Sequence, residues 1–269
     1  MRTRILMCAG AAFLAAATAS AQNNNGCANL PDYAQLKRML IAARTAENSG
    51  QNAQQWATVV DRDGVVCAVA FTGPNRAAQL GIARIASAMR ANTANAFGYD
   101  SSSATSNGKG YPIGLALSTA NLFSSTQPGG FVAGLTENYP VNPSAAFASP
   151  TECLGTSSDP MVGQKIGGFT AIGGGLALYG PGRVVVGGIG VSGDHSCTDH
   201  DVAWRTRSLL GLDHLAGLPP VSGDPARPDN IVYDITPNPN GGTGQSASGL
   251  GHPQCPNAGD QTKLPAVQP

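Results

Sequence analysis

The sequence predicts an α+β domain: a mainly antiparallel sheet flanked by helices, followed by a Pro/Gly-rich C-terminal tail. Three observations carry that prediction. Apolar residues recur at helical spacing after Asp32 and again after Asn75. Two β-branched runs fold back on one another at Asp61-Arg-Asp-Gly64, and two more do so at Gly180-Pro-Gly182. Helix, hairpin, helix, then hairpin and helix is an order that assembles a sheet from antiparallel pairs.

The elements follow in turn. Asp32 is placed to N-cap the first helix, with Gln35 at the capping-box position. Leu36, Met39, Leu40 and Ala43 give it one apolar stripe, and Gly50 marks its end. Gln55–Val60 and Val65–Phe71 flank the Asp61–Gly64 turn as a hairpin. Thr72-Gly-Pro-Asn75 breaks the second strand. A long helix is then expected from Arg76 to Phe97, with Leu80, Ile82, Ile85, Ala86, Met89 and Thr93 on its apolar side and many alanines for close packing. Tyr99–Gly110 reads as a Ser/Gly/Asn loop, and Leu115–Ser125 as a shorter helical piece. Gln127–Gly168 is long and irregular, a pattern more typical of functional or interface loops than of plain connections. The hairpin around Gly180-Pro-Gly182 follows. Its second strand, Val184–Gly193, is almost wholly apolar and rich in glycine, as expected of a central strand approached closely by another backbone. The closing helix is expected to take Thr198 as N-cap, with Asp199 and Asp201 favouring its dipole.

Met1-Arg-Thr-Arg4, the apolar run Ile5–Ala17 and Ala19-Ser-Ala21 form a basic, apolar and cleavage-site series, so residues 1–21 read as a signal peptide. The run is too short for a permanent membrane anchor, and Cys27 follows no lipobox-like pair. The mature chain is therefore expected to be periplasmic or secreted, with a domain over 22–216 and a tail over 217–269. Formal net charge is +0 and charged residues make up 12%. There is no basic run, which excludes the electrostatic footprint of a nucleic-acid binder and of a polybasic membrane patch. Of the six cysteines, Cys8 lies in the leader. The other five suggest two disulfides and one spare thiol. Cys67, inside a strand, is the expected spare, with Cys153–Cys197 and Cys27–Cys255 as the pairs.

Val59-Val-Asp-Arg-Asp-Gly-Val-Val66, Arg90-Ala-Asn-Thr-Ala-Asn-Ala-Phe97, Gly168–Gly175 and Gly187-Gly-Ile-Gly-Val-Ser-Gly-Asp194 with Asp199 after it together resemble the GlcG/HbpS family of haem-binding proteins. Leu117-Ser-Thr-Ala-Asn-Leu-Phe123, Gln127-Pro-Gly-Gly130, Gly134-Leu and Asn138-Tyr-Pro-Val-Asn-Pro143 look like a secreted branch of it. The likeness spans roughly Leu36–Leu210. It implies an oligomerising α/β domain whose ligand is haem or another tetrapyrrole, serving as carrier, scavenger or sensor accessory. Some haem-binding relatives use a histidine in the N-terminal helix region, and Ala28–Gly50 contains none.

Asp194, His195, Cys197, Asp199 and His200 form the densest group of potential ligands, since imidazole and carboxylate bind transition metals and imidazole binds haem iron. His200 is the expected iron ligand, with His195 and Asp199 beside it in a cofactor site. His195 and His200 are five apart and do not share a face of a regular helix. The bland alternative is that the carboxylates cap the strand-to-helix turn and the histidines are surface groups. Tyr139 and Phe131, with Tyr99, Tyr111 and Phe123, are loop aromatics that could wall a flat apolar ligand or anchor a subunit interface. Trp56 and Trp204 read as core. Gly188-Ile-Gly-Val-Ser-Gly193 matches a dinucleotide fingerprint, but its glycines fall within a strand and no second parallel strand follows. Ser192 lacks the spacing of a nucleophile elbow. No catalytic residue is assigned. An enzyme on the same scaffold (a hydrolase or haem-degrading activity using His195 and His200) and a partner-binding module are the alternatives to a small-molecule binder.

Overall fold

The computed structural model describes residues 25–99, 116–135 and 139–269. The expected leader, most of the loop at 99–110, and Tyr111 lie outside these residues. The described chain is α+β. A four-stranded antiparallel sheet has the order β2-β1-β4-β3, built from β1 (Trp56–Asp61), β2 (Val66–Phe71), β3 (Gly175–Gly180) and β4 (Val184–Ser192). Helices α1 (Tyr33–Ala46) and α3 (Ser196–Leu209) cover one face, and α2 (Gly81–Phe97) covers the other. A small ribbon, β5 (Ile235–Thr236) with β6 (Gln245–Ser246), lies in the C-terminal segment. Among the described residues no helix is long and apolar enough to cross a membrane.

Local chemistry sets most of these boundaries. Asp32 and Gln35 form the reciprocal capping box at the start of α1, which buries Leu36, Leu40 and Ala43. Asp61 Oδ1 accepts the amides of Asp63 and Val65, each at 2.9 Å, and closes the first hairpin as a side-chain turn. In the second hairpin Gly182 takes φ +78°, which glycine adopts without cost.

The parity of β1 divides the core. Ala57 and Val59 join Leu36, Leu40, Ile189, Val202 and Trp204 on the α1/α3 face. Trp56 and Val60 join Ile85, Ala88 and Ala91 beneath α2. Both tryptophans are 1% exposed, as the sequence implied. Gly188 and Gly190 of β4 let α2 sit almost in contact with the sheet. A Cβ on Gly190 would collide with the Ser87 carbonyl, and one on Gly188 with that of Ala91.

That closeness corrects the expected face of α2. Ile85 and Thr93 are buried as expected, but Leu80 (71% exposed) and Ile82 (66%) point to solvent, Ala86 and Met89 are half-buried, and the covered face also takes in Ala83, Ser87, Ala88, Ala91, Ala94 and Asn95. Small residues such as Ser87 and Ala91 take the line over Gly188 and Gly190 because the helix backbone there lies almost on the strand. The helix also starts later than expected, after a separate 3-10 turn at Arg76–Ala78. On α3 the N-cap is His195 rather than Thr198, which lies inside the helix with its hydroxyl 3.1 Å from Ser49 Oγ.

The cysteines pair differently from expectation: among the described residues Cys27 is bridged to Cys67 and Cys197 to Cys255. Cys67 is half-buried on β2, within reach of the N-terminal segment. Cys153 is followed by Leu154, which packs in the α2-side cluster, across the sheet from Cys197 on α3. The two faces of the sheet separate the expected partners. Gln127–Gly168 carries only short helical turns among its described residues. It is pinned to α2 by a bidentate ion pair, Arg84 to Asp159, both bonds at 2.7 Å.

The segment expected as a tail is wound across α3. Its Asp229 forms a fully buried ion pair with Arg207, Leu218 and Leu264 are buried, and Trp204 Nε1 donates to the Pro265 carbonyl at 2.9 Å. Cys255 is the covalent fastening.

Candidate functional site

The strand-to-helix turn 193–200 is a structural knot. Asp194 accepts the amides of Gln51, Ala53 and His195. Asp199 is fully buried; one oxygen accepts the Asp194 amide at 2.8 Å and the other pairs with Arg90, which also holds the Val191 carbonyl. Burial pushes the Asp199 carboxyl up to about 6, against the pull of Arg90. Both its oxygens accept hydrogen bonds from within the protein, so it acts as the bolt between α2, β4 and α3.

His200 is 0% exposed. Its Nε2 lies 3.1 Å from Asn230 Oδ1, and its Nδ1 is buried without a partner. Burial holds the imidazole down to about 4, so it is neutral at pH 7. An iron atom cannot reach it while the core is closed. His195 is half-buried, with Nε2 3.2 Å from Gln51 Nε2 of the side chain and Nδ1 3.2 Å from the Pro256 carbonyl. Tyr139 is largely exposed, its ring 6.4 Å from Phe169, and Phe131 is 67% exposed. Asp199 and the two histidines share the α3 start, but the structure does not gather the five residues around one cavity. None of them lines any of the described clefts.

A cleft of about 610 Å³ lies elsewhere, between Phe123 and the C-terminal segment. Its walls include Tyr233, Ile235, Pro237, His252 and Pro253, and none of its lining side chains is an acid, lysine or arginine. The turn that carries Phe123 is tied to the opposite wall: the Ser124 amide and hydroxyl both donate to the Gly251 carbonyl, and Ser125 Oγ donates to that of Gly249. The Cys197–Cys255 bridge holds the same wall to α3.

His252 stands at the junction. The Gly173 amide donates to its Nε2 at 3.3 Å, so the ring proton is on Nδ1, which donates to the Pro253 carbonyl at 2.7 Å. Ser196 Oγ lies a further 3.3 Å from Nε2. Burial holds this imidazole, too, down to about 4. Its ring is 5.5 Å from that of Phe123, tilted by 57°. The Tyr233 hydroxyl is buried with no partner, and burial pushes the phenol above its ordinary range. Sequence reasoning singled out Phe123 among the loop aromatics but passed over Tyr233 and His252, because both lie in the stretch read as tail. A histidine three residues before a cysteine, in an otherwise Pro/Gly-rich run, was the available signal.

The HbpS-like family model, described as haem degrading protein HbpS-like, matches residues 32–207. That is well over half of the chain, and the chain belongs to this family. Solved structures with a similar shape include a PduOC–haem complex, at 19% identity and TM-score 0.42, with 65% of this chain and 89% of that one covered. Klebsiella pneumoniae protein ORFY is another, at 17% identity and TM-score 0.40, covering 67% and 90%. A double mutant of Streptomyces reticuli HbpS is a third, at 16% identity and TM-score 0.37, covering 75% and 98%. No curated protein matches this sequence.

Proposed function

We propose that this chain is an exported haem- or tetrapyrrole-binding protein acting as a carrier, scavenger or sensor accessory, and that it works as a homo-oligomer. The observation that carries the reading is the family match over residues 32–207. The cleft of about 610 Å³ supports it, because that volume and an apolar, aromatic wall are what small-molecule and cofactor sites of about 300–1,000 Å³ present. The leader-like residues 1–21 support export. Exposed Leu80 and Ile82 on α2 support self-association.

The test is a titration of the mature protein with haemin, followed at the Soret band. A saturable shift at about one haem per chain is expected, and no shift at micromolar haemin overturns the reading. The family's description as haem degrading favours a second reading, turnover of haem on the same scaffold. A Soret band that decays when a reductant is added to the loaded protein, and not to free haemin, supports it.

A further inference from the structure

A haem protein ordinarily offers iron an axial ligand, most often a histidine nitrogen. This chain has four histidines. His200 is sealed in the core with Nε2 on Asn230. His195 has both nitrogens beside neighbouring polar atoms and lines no described cleft. His214 faces the Pro269 carbonyl with Nδ1, at 2.6 Å, and likewise lines none. His252 alone lines the large cleft, and its Nε2 is turned to Ser196 and Gly173 while Nδ1 is held by Pro253. The other candidate donor at this cleft, the Tyr233 hydroxyl, is buried against the protein. The nearby sulfurs of Cys197 and Cys255 are bound to one another. The cleft therefore presents ring faces and no ligand for a metal.

From this disagreement between the expected ligation and the observed wall, we infer that the cleft between Phe123 and the C-terminal segment recognises the flat face of a tetrapyrrole and is indifferent to its central metal. The inference rests on the tetrapyrrole reading proposed above and names its site. Half-buried Phe123 and Tyr233 supply the aromatic surface, Ile235, Pro237 and Pro253 supply the aliphatic one, and His252, only 3% exposed, backs the wall. Stacking on such a wall depends on ring area and is blind to the metal. The absence of charged side chains leaves the ligand's carboxylates to the solvent at the open mouth. Most of the wall lies beyond residue 207, outside the family match, so the site belongs to this chain's own C-terminal segment. It is held ready by the Ser124, Ser125 and disulfide fastenings, which limits the ordering cost of binding.

The experiment titrates the full mature chain with haemin and with metal-free protoporphyrin IX in parallel. Haemin is read by Soret absorption and the porphyrin by its fluorescence. Dissociation constants within about threefold of one another are expected. Phe123→Ala should weaken both ligands about tenfold, the loss of roughly one aromatic contact. Thr243→Trp, which obstructs the cleft from an exposed position, should do the same without burdening the core. Haemin bound more than tenfold tighter than the porphyrin would overturn the inference and point to iron ligation. Equal binding that neither variant weakens would place the ligand elsewhere and also overturn it. If neither ligand binds, the tetrapyrrole reading itself fails.

Discussion

The sheet with α2 and the C-terminal segment over α3 are built on opposite principles. Under α2 the packing is continuous: alanines of the helix lie on Gly188 and Gly190, and no substituent fits between them. The C-terminal segment has little regular structure. It is held by discrete fastenings: a disulfide, one buried ion pair, a tryptophan hydrogen bond and a few apolar side chains. The first arrangement leaves no room for even a Cβ at Gly188 or Gly190. The second leaves the largest described cleft between its fastenings. Continuous packing makes a scaffold, and point-fastened chain makes a site.

The sharpest way to break the scaffold is Gly190→Val. The new side chain would meet the Ser87 carbonyl and the Ala91 amide, and neither backbone atom can move alone. A loss of roughly 3–5 kcal/mol is expected, seen as a collapse of soluble yield or of the urea midpoint. The equivalent blow to the segment is Asp229→Ala, which strands the fully buried Arg207 guanidinium. A loss of about 3–5 kcal/mol is expected by chemical denaturation, and an Arg207→Met/Asp229→Leu double variant should recover most of it. Replacing Cys197 and Cys255 together by serine releases a bridge of sequence separation 58. It should lower stability by about 2–4 kcal/mol. Because the fastening is local, proteolysis should nick the segment beyond residue 216 while the helical signal of the core survives. Simultaneous loss of both would contradict the comparison.

Acid offers a gentler probe. His252 titrates at about 4 in the folded chain against an ordinary 6.5, so between those values the unfolded chain binds more protons. The stability it contributes is complete above pH 6.5 and is lost as pH falls toward 4, on the order of 3 kcal/mol. Asp199 and Asp201, pushed up to about 6 and about 7 chiefly by burial, act with the opposite sign in an overlapping range. The readout is therefore the difference between the wild type and His252→Gln in urea midpoints from pH 7 to 4, which should narrow as pH falls. A constant difference would refute the assignment. The smallest effect is expected on the outer face of α2. Leu80→Glu with Ile82→Glu should change fold stability by no more than about 0.5 kcal/mol. If that face joins subunits, the variant should elute as a smaller species.

Legibility in the sequence follows the same division. The capping box at Asp32, the turn at Asp61–Gly64 and the apolar β4 are local signals, and each appears in the structure near its expected place. The face of α2 is legible only in part: Ile85 and Thr93 are buried as expected, but Leu80 and Ile82 are exposed, because the glycines of a distant strand select small residues where the helix meets the sheet. The cysteine pairs depend on which side of the sheet each cysteine occupies, which no local pattern encodes. Asp199 and His200 stand out in the sequence by density of polar types, and the fold buries both beside hydrogen-bonding partners.

Sequence by itself determined the class of fold, the order of its elements, the hairpin turns and the family, because these rest on periodicity, turn chemistry and motifs within a few residues of one another. Only the tertiary structure decided which helix face is inside, which thiols meet, and that a Pro/Gly-rich run is wound back over α3. Those outcomes depend on contacts between residues far apart in the chain. Phe123 and His252 wall one cleft because a disulfide and a handful of hydrogen bonds bring two distant loops face to face.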